Sequence, residues 1–250
     1  MKITMLGSGT SGGVPRIDGY WGAADPANPK NRRRRVSILV QSETTNVIVD
    51  TSPDFRQQCL DAGVTHVDGV LYTHDHADHV HGIDDLRTFR TIQGKRIDIY
   101  ASRETLDVIR KRFTYIFNPE AGYRPICEPH EIKGPLTIGD IDILPYEQQH
   151  GPITSLGYRF GPVAYSTDLN GLSEDAFAAL EGIDVWIVDG LRYDPHPTHA
   201  HLDLTLSWIE RVKPKRAILT HMTWEMDYDT LCGELPNGVE PGYDGLTIEI

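Results

Sequence analysis

Thiol chemistry is nearly absent from this chain: Cys59, Cys127 and Cys232 are its three cysteines, far apart and without a C-x-x-C pair. That argues against a disulfide framework and a thiolate metal site, and it fits a reducing compartment. Positive charge is also scarce, with 24 Lys and Arg against 36 Asp and Glu. The net charge of −12 argues against a general binder of nucleic acid or anionic membrane, although bound cations would add positive charge that this count omits. No apolar run approaches the roughly 20 residues of a membrane span. The start Met1-Lys2-Ile3-Thr4-Met5-Leu6 is too short for a signal-peptide core and reads as a first strand. A cytoplasmic protein is expected. No linker, repeat or low-complexity tract interrupts the sequence, so one domain over residues 1–250 is expected.

What the chain does have is a concentration of ligand-type side chains. In Thr73-His74-Asp75-His76-Ala77-Asp78-His79, three imidazoles and two carboxylates occupy six consecutive positions directly after the apolar Gly69-Val70-Leu71-Tyr72. Packing does not explain them, because each would need its own partner if buried. Metal binding explains them together. His74 and His76, two apart, converge on one ion in an extended or turning backbone while Asp75 points elsewhere. Asp78 and His79 suit a second ion beside the first. Imidazole with carboxylate selects Zn²⁺, Mn²⁺ or Fe²⁺ over Ca²⁺ or Cu⁺. Further ligands are expected at other strand ends, and His150, Asp168 and His221 each follow a β-rich run. The two oxygens of Asp168 would suit a bridge.

β-rich runs at 3–6, 37–40, 46–49, 70–72, 97–100, 141–144, 157–160, 163–165, 185–188 and 216–219 alternate with helical patterns at 54–62, 103–117, 173–180 and 204–212. Ser173 is placed to cap the third of these helices. Adjacent strands mixed with helices predict an α/β sandwich of two sheets with helices outside and ligands on loops at one edge. The opening Gly7-Ser8-Gly9-Thr10-Ser11-Gly12-Gly13 lacks the Gly-Lys-Ser/Thr ending of a Walker A loop, so tight turning beside the metal site is its expected role. In the basic run Arg32 to Arg35, at least two side chains are expected in solvent, and one is within reason for a substrate phosphate.

The histidine cluster with its distant His, Asp and His resembles the metallo-β-lactamase fold superfamily, over nearly the whole chain from Gly7 to Leu246. Within it the sequence looks most like the PhnP-like phosphodiesterase branch, the phosphoribosyl 1,2-cyclic phosphate phosphodiesterases. The resemblance implies an αββα sandwich of two mixed β-sheets with helices on the outer faces. It implies two divalent ions, Mn²⁺ or Zn²⁺, held by His74, His76, His150 and Asp168 on one side and by Asp78, His79, Asp168 and His221 on the other. Asp50, after the strand-like Val47-Ile48-Val49, matches an aspartate behind the metal-bound imidazoles, and His201 matches a histidine near the leaving group. Asp78 and His201 are the expected catalytic residues. The sequence departs from the PhnP pattern at a structural zinc site. Its loop Gly19-Tyr20-Trp21-Gly22-Ala23-Ala24-Asp25 has no cysteine, and Trp224 stands where the closing histidine would be. No structural zinc is expected, and Tyr20, Trp21 and Trp224 are candidates to fill that space.

The expected reaction is hydrolysis of a small cyclic or nucleotide-like phosphodiester by hydroxide formed from a water shared between the two ions. The alternatives are a tRNA 3′-processing type of nuclease, a thioester or lactone hydrolase, and a non-catalytic carrier of cofactor biosynthesis. No stable nucleic-acid partner is expected, because no basic arm is present; a homodimer is an expectation by family analogy alone.

Overall fold

Alternation of side chains across each strand divides the apolar residues of this protein among three layers. The computed structural model describes residues 1–118, 122 and 124–250. The first half runs β1 (Lys2–Gly7), β2 (Ser37–Gln41), β3 (Asn46–Val49), α1 (Phe55–Ala62), β4 (Gly69–Leu71), α2 (Ala77–Val80), α3 (Leu86–Gln93), β5 (Ile97–Ala101), α4 (Arg103–Arg112), α5 (Thr114–Phe117) and β6 (Cys127–Glu131). The second half runs β7 (Leu136–Ile138), β8 (Ile141–His150), β9 (Ile153–Phe160), β10 (Val163–Ser166), β11 (Gly171–Leu172), α6 (Glu174–Leu180), β12 (Val185–Asp189), α7 (Leu202–Val212), β13 (Arg216–Thr220), α8 (Tyr228–Glu234), β14 (Val239–Pro241) and β15 (Thr247–Glu249).

One sheet has the order β15-β1-β2-β3-β4-β5-β6, the other β11-β8-β9-β10-β12-β13-β14, with β7 paired to β8. Both mix antiparallel and parallel pairs. Ile3, Met5, Ile38, Val40, Val47 and Val49 face Tyr158, Tyr165, Ile187 and Ile218 between the sheets. The alternate residues Leu6, Leu39, Ile48 and Val70 face outward to Phe55 of α1, Phe89 of α3 and Ile109 of α4. Ala164, Trp186, Val188 and Leu219 pack outward against Ala176 and Leu180 of α6, Trp208 of α7 and Leu231 of α8. This is the expected αββα sandwich.

Several boundaries differ from the sequence expectation for identifiable reasons. The helical pattern at 103–117 is two helices, broken at Phe113, whose φ of −125° and ψ of 50° are not helical. Strand β8 runs on past Leu144 to His150. Its second half was hidden because Gln148 is buried by hydrogen bonds to Ser155 Oγ and the Thr167 carbonyl, and not by apolar contact. Helix α3 was missed, and α6 starts as expected, with Ser173 Oγ accepting from the Ala176 N–H at 3.1 Å.

The glycine-rich opening turns beside the segment that carries His221. Gly9 bridges to both Arg35 and Met222, and a Cβ on it would lie 2.7 Å from the Arg33 Cβ. The basic run is less solvated than expected. Arg33 is buried, donating to the Thr223 carbonyl and Asn31 Oδ1, and burial pulls its pKa down to about 10. Arg34 pairs with Asp61 and Arg35 with Asp54, while Arg32 lies over the Trp21 ring. Trp224 receives the cysteine-free loop: its carbonyl accepts from the Ala23 and Ala24 N–H groups, and Tyr20 meets its ring edge-on at 6.2 Å. The Arg16 guanidinium lies between those two rings, 4.7 and 4.9 Å from their centroids. Among the described residues, no helix is long and apolar enough to cross a membrane.

Candidate metal centre

Parallel strands bring their carboxyl ends to one edge, and the chain turns sharply there. Asp50 follows β3, Asp168 follows β10 and His221 follows β13; all three have left-handed backbones, with φ of 63°, 54° and 57°. Aspartate tolerates this region better than most residues, and histidine is enriched there too. The turns aim the side chains across the edge toward the loop after β4. His150 ends β8 and reaches the same point.

The result is two groups of ligand atoms sharing one carboxylate. His74, His76, His150 and Asp168 form the first, and Asp78, His79, Asp168 and His221 the second, each with its donor atoms within 4.8 Å of one another. Asp168 Oδ1 lies 3.9 Å from His74 Nε2 and 3.8 Å from His150 Nε2. Its Oδ2 lies 3.1 Å from His79 Nε2 and 3.5 Å from His221 Nε2. Asp78 Oδ2 is 3.3 Å from His79 Nε2 and 3.6 Å from His221 Nε2. All seven residues that the resemblance implies as ligands lie in these two groups, with one oxygen of Asp168 toward each.

The outer nitrogens show how the ligands are held. The Thr73 hydroxyl donates to Asp50 Oδ2 at 2.8 Å, so its oxygen is free to accept from His74 Nδ1–H at 3.0 Å. His79 Nδ1–H donates to the same Asp50 oxygen at 2.7 Å, and His150 Nδ1–H to the Thr198 carbonyl at 2.7 Å. Each bond fixes the proton on Nδ1 and turns the Nε2 lone pair inward. Asp50 thus stands directly behind His79 and, through the Thr73 hydroxyl, behind His74.

Those inward nitrogens fit divalent cations. His74 Nε2, His79 Nε2 and His221 Nε2 are buried and make no hydrogen bond among the described residues. Leaving such atoms unpaired is costly, and a cation supplies the missing partner. The donor set of imidazoles and carboxylates suits Zn²⁺ or Mn²⁺.

Without cations, protons partly replace them. Burial resists charge on His221, but the carboxylates of Asp168, Asp78 and Asp189 overcome it and push its pKa up to about 9. Burial and the neighbouring imidazoles hold His74 well below the ordinary histidine value. Protonated His221 stabilises the folded metal-free protein fully below its ordinary 6.5, and that contribution is lost as pH rises through about 9. Calorimetry of the metal-free protein should show a melting temperature that falls from about pH 7 to about pH 9. The metal-loaded protein should lack this fall, because cations require neutral imidazole. A metal-free melting temperature that rises across that window would contradict the assignment.

The sequence expectation differs from the structure at the acid. His201 is the N-cap residue of α7, half-buried, and no hydrogen bond, ion pair or ring contact joins it to the ligands. His199 is there instead. Its ring stacks on His221 at 4.7 Å and meets His150 at 4.8 Å, while Nδ1 lies 3.0 Å from Asp189 Oδ2 and 3.8 Å from Asp168 Oδ1. Sequence reasoning missed His199 and, behind it, Asp189. Asp189 ends the apolar strand β12 as Asp50 follows β3 and Asp168 follows β10, and this recurrence was a usable signal.

Residues 45–222 match the family described as the beta-lactamase superfamily domain. The chain belongs to that superfamily. Within it the protein is PhnP-like: a crystal structure of a diphosphatase from the PhnP family superposes with a TM-score of 0.93 at 36% identity, covering 100% of this chain and 96% of that one. An octanoyltransferase of Porphyromonas gingivalis is 34% identical over 98% of this chain and 51% of its own length. The coenzyme PQQ synthesis protein B of Xanthomonas campestris is 29% identical over 58% of this chain and 51% of its own. The chain thus spans about half the length of these curated relatives. On this superfamily fold, the two groups of imidazole and carboxylate atoms are suited to hold divalent metal ions.

Proposed function

We propose that this protein is a metal-dependent hydrolase that cleaves a small cyclic or nucleotide-like phosphodiester at a dinuclear centre of two Zn²⁺ or Mn²⁺ ions. The carrying observation is the division of Asp168 between the two groups, with Oδ1 toward His74 and His150 and Oδ2 toward His79 and His221. The ions, when bound, supply positive charge for the phosphoryl oxygens and acidify a water to serve as nucleophile. His74, His76 and His150 would hold one ion and Asp78, His79 and His221 the other, with Asp168 between them.

The protein's own groups then perform the rest. Asp50 and Thr73 keep two imidazoles in the ligating tautomer. Asp78 carries a second carboxylate oxygen that can orient the attacking water. We assign to His199 the role expected of His201: Asp189 accepts from its Nδ1, which leaves Nε2 to give a proton to the departing alkoxide. The buried free thiols Cys59 and Cys127 accord with a cytoplasmic setting.

A second reading, hydrolysis of a diphosphate, is favoured by the PhnP-family diphosphatase at 36% identity. Both are tested on one preparation, stripped of metal and reconstituted with Zn²⁺ or Mn²⁺. Two ions per chain are expected, with turnover of bis(p-nitrophenyl) phosphate and of cyclic ribosyl or 2′,3′-cyclic nucleotide phosphates. Turnover of nucleoside diphosphates alone would select the second reading. Inactivity on all of these with either metal would leave the carrier alternative, and a third ion outside the cluster would contradict the expected absence of structural zinc.

A further inference from the structure

We infer that Arg112 is a positioning residue, which sets the His76 ligand by gripping the peptide that leads into it; this rests on the dinuclear reading above. Of the seven ligands, His76 is the exposed one. The other two imidazoles of its group are fixed from behind, His74 by Thr73 and His150 by the Thr198 carbonyl. His76 has no such partner among the described residues. Its polar contact is His150 Nε2 at 3.3 Å, an atom that faces the same ion position and therefore cannot hold the ring from outside.

The backbone must do that work, and one side chain holds the backbone. Arg112 Nη1 donates to the Asp75 carbonyl at 2.6 Å, and Nη2 to Asp75 Oδ2 at 3.2 Å. The carbonyl belongs to the peptide joining Asp75 to His76, so its direction fixes the plane from which the His76 side chain departs. A guanidinium suits this task because its donors form a rigid fork, with one arm for the carbonyl and one for the carboxylate of the same residue. Asp75 is the member of the opening cluster that no ion uses, and this contact gives it a role.

The contact is braced. Arg112 is the last residue of α4, and the next, Phe113, meets the His81 ring edge-on at 5.7 Å. The end of α4 thus touches the metal loop at Asp75 and at His81, with His76, Asp78 and His79 between the two points. As an ion pair Arg112 with Asp75 is half-exposed, where solvent screening leaves it little to contribute to folding. Its consequence should therefore appear in metal affinity more than in stability.

The test compares wild type, Arg112→Ala and Arg112→Lys, each stripped of metal and titrated with Zn²⁺ against a chromophoric chelator. In Arg112→Ala one of the two ions should bind more weakly by roughly 10- to 100-fold, as for loss of an outer partner of a metal ligand. The other ion should keep its affinity, the metal-free melting temperature should stay within a few degrees, and KM at saturating metal should not move. Arg112→Lys, with one charge but no fork, should recover part of the loss. Unchanged affinity for both ions overturns the inference, as does a raised KM with normal metal binding, which would make Arg112 a substrate contact. Weakening of both ions together with a lowered metal-free melting temperature also overturns it, as a structural effect. Fewer than two ions in the wild type would instead overturn the dinuclear reading itself.

Discussion

Asp168→Asn should release both ions and lower kcat/KM by at least about a thousandfold, equivalent to about 4 kcal/mol of transition-state stabilisation. Asparagine is the informative substitution because the residue has a left-handed backbone, φ 54°, which asparagine tolerates and alanine does not. The variant therefore keeps the turn after β10 and loses the charge. That charge acts on both groups at once: Oδ1 faces His74 and His150, and Oδ2 faces His79 and His221. Removing an ordinary ligand would weaken one ion, whereas removing this one weakens two. Metal analysis after gel filtration, with circular dichroism to confirm the fold, makes the measurement. A folded variant that retains two ions and near wild-type turnover would rule out Asp168 as the bridge.

His199→Ala should leave metal content at two per chain and lower kcat/KM by roughly 10²- to 10⁴-fold, the usual contribution of a positioned proton donor. The loss should be largest for substrates with an alkoxide leaving group and smaller for p-nitrophenyl esters, whose leaving group needs no proton. Asp189→Asn should show a partial loss of the same kind, because its carboxylate oxygen holds His199 Nδ1 at 3.0 Å. His201→Ala should be nearly silent, since that side chain neither caps α7 nor touches the ligands. A large defect in His201→Ala with none in His199→Ala would restore the expectation from sequence. Loss of an ion from His199→Ala would make it a ligand and remove the acid from the mechanism.

The two histidines mark the limit of what linear spacing conveys. Thr198-His199-Ala200-His201 offers two imidazoles two residues apart, and their sequence context does not rank them. The ranking comes from the backbone of the loop between β12 and α7, where the Leu191 N–H donates to the Ala200 carbonyl and the Leu202 N–H to the Arg192 carbonyl. Those bonds start α7 at Leu202 and put His201 at its cap. His199, two residues earlier, is left against Asp189 and His221. The same limit applies to Arg33, which reads as one of four surface arginines and is buried, with Nη1 donating to the Thr223 carbonyl and Nη2 to Asn31 Oδ1.

By itself the sequence determined the metal loop and the layering of this protein. His74, His76, Asp78 and His79 are covalent neighbours, so their proximity needs no folding to establish. Strand alternation assigns Val47 and Val49 to one face and Ile48 to the other whatever they pack against. Tertiary structure alone decided how distant ligands share one carboxylate, which histidine stands beside them, and that Arg112 reaches Asp75. Those outcomes depend on where the chain turns after β3, β10 and β13 and on how the two sheets stack. Such relations join residues far apart in the chain, and local spacing carries no record of them.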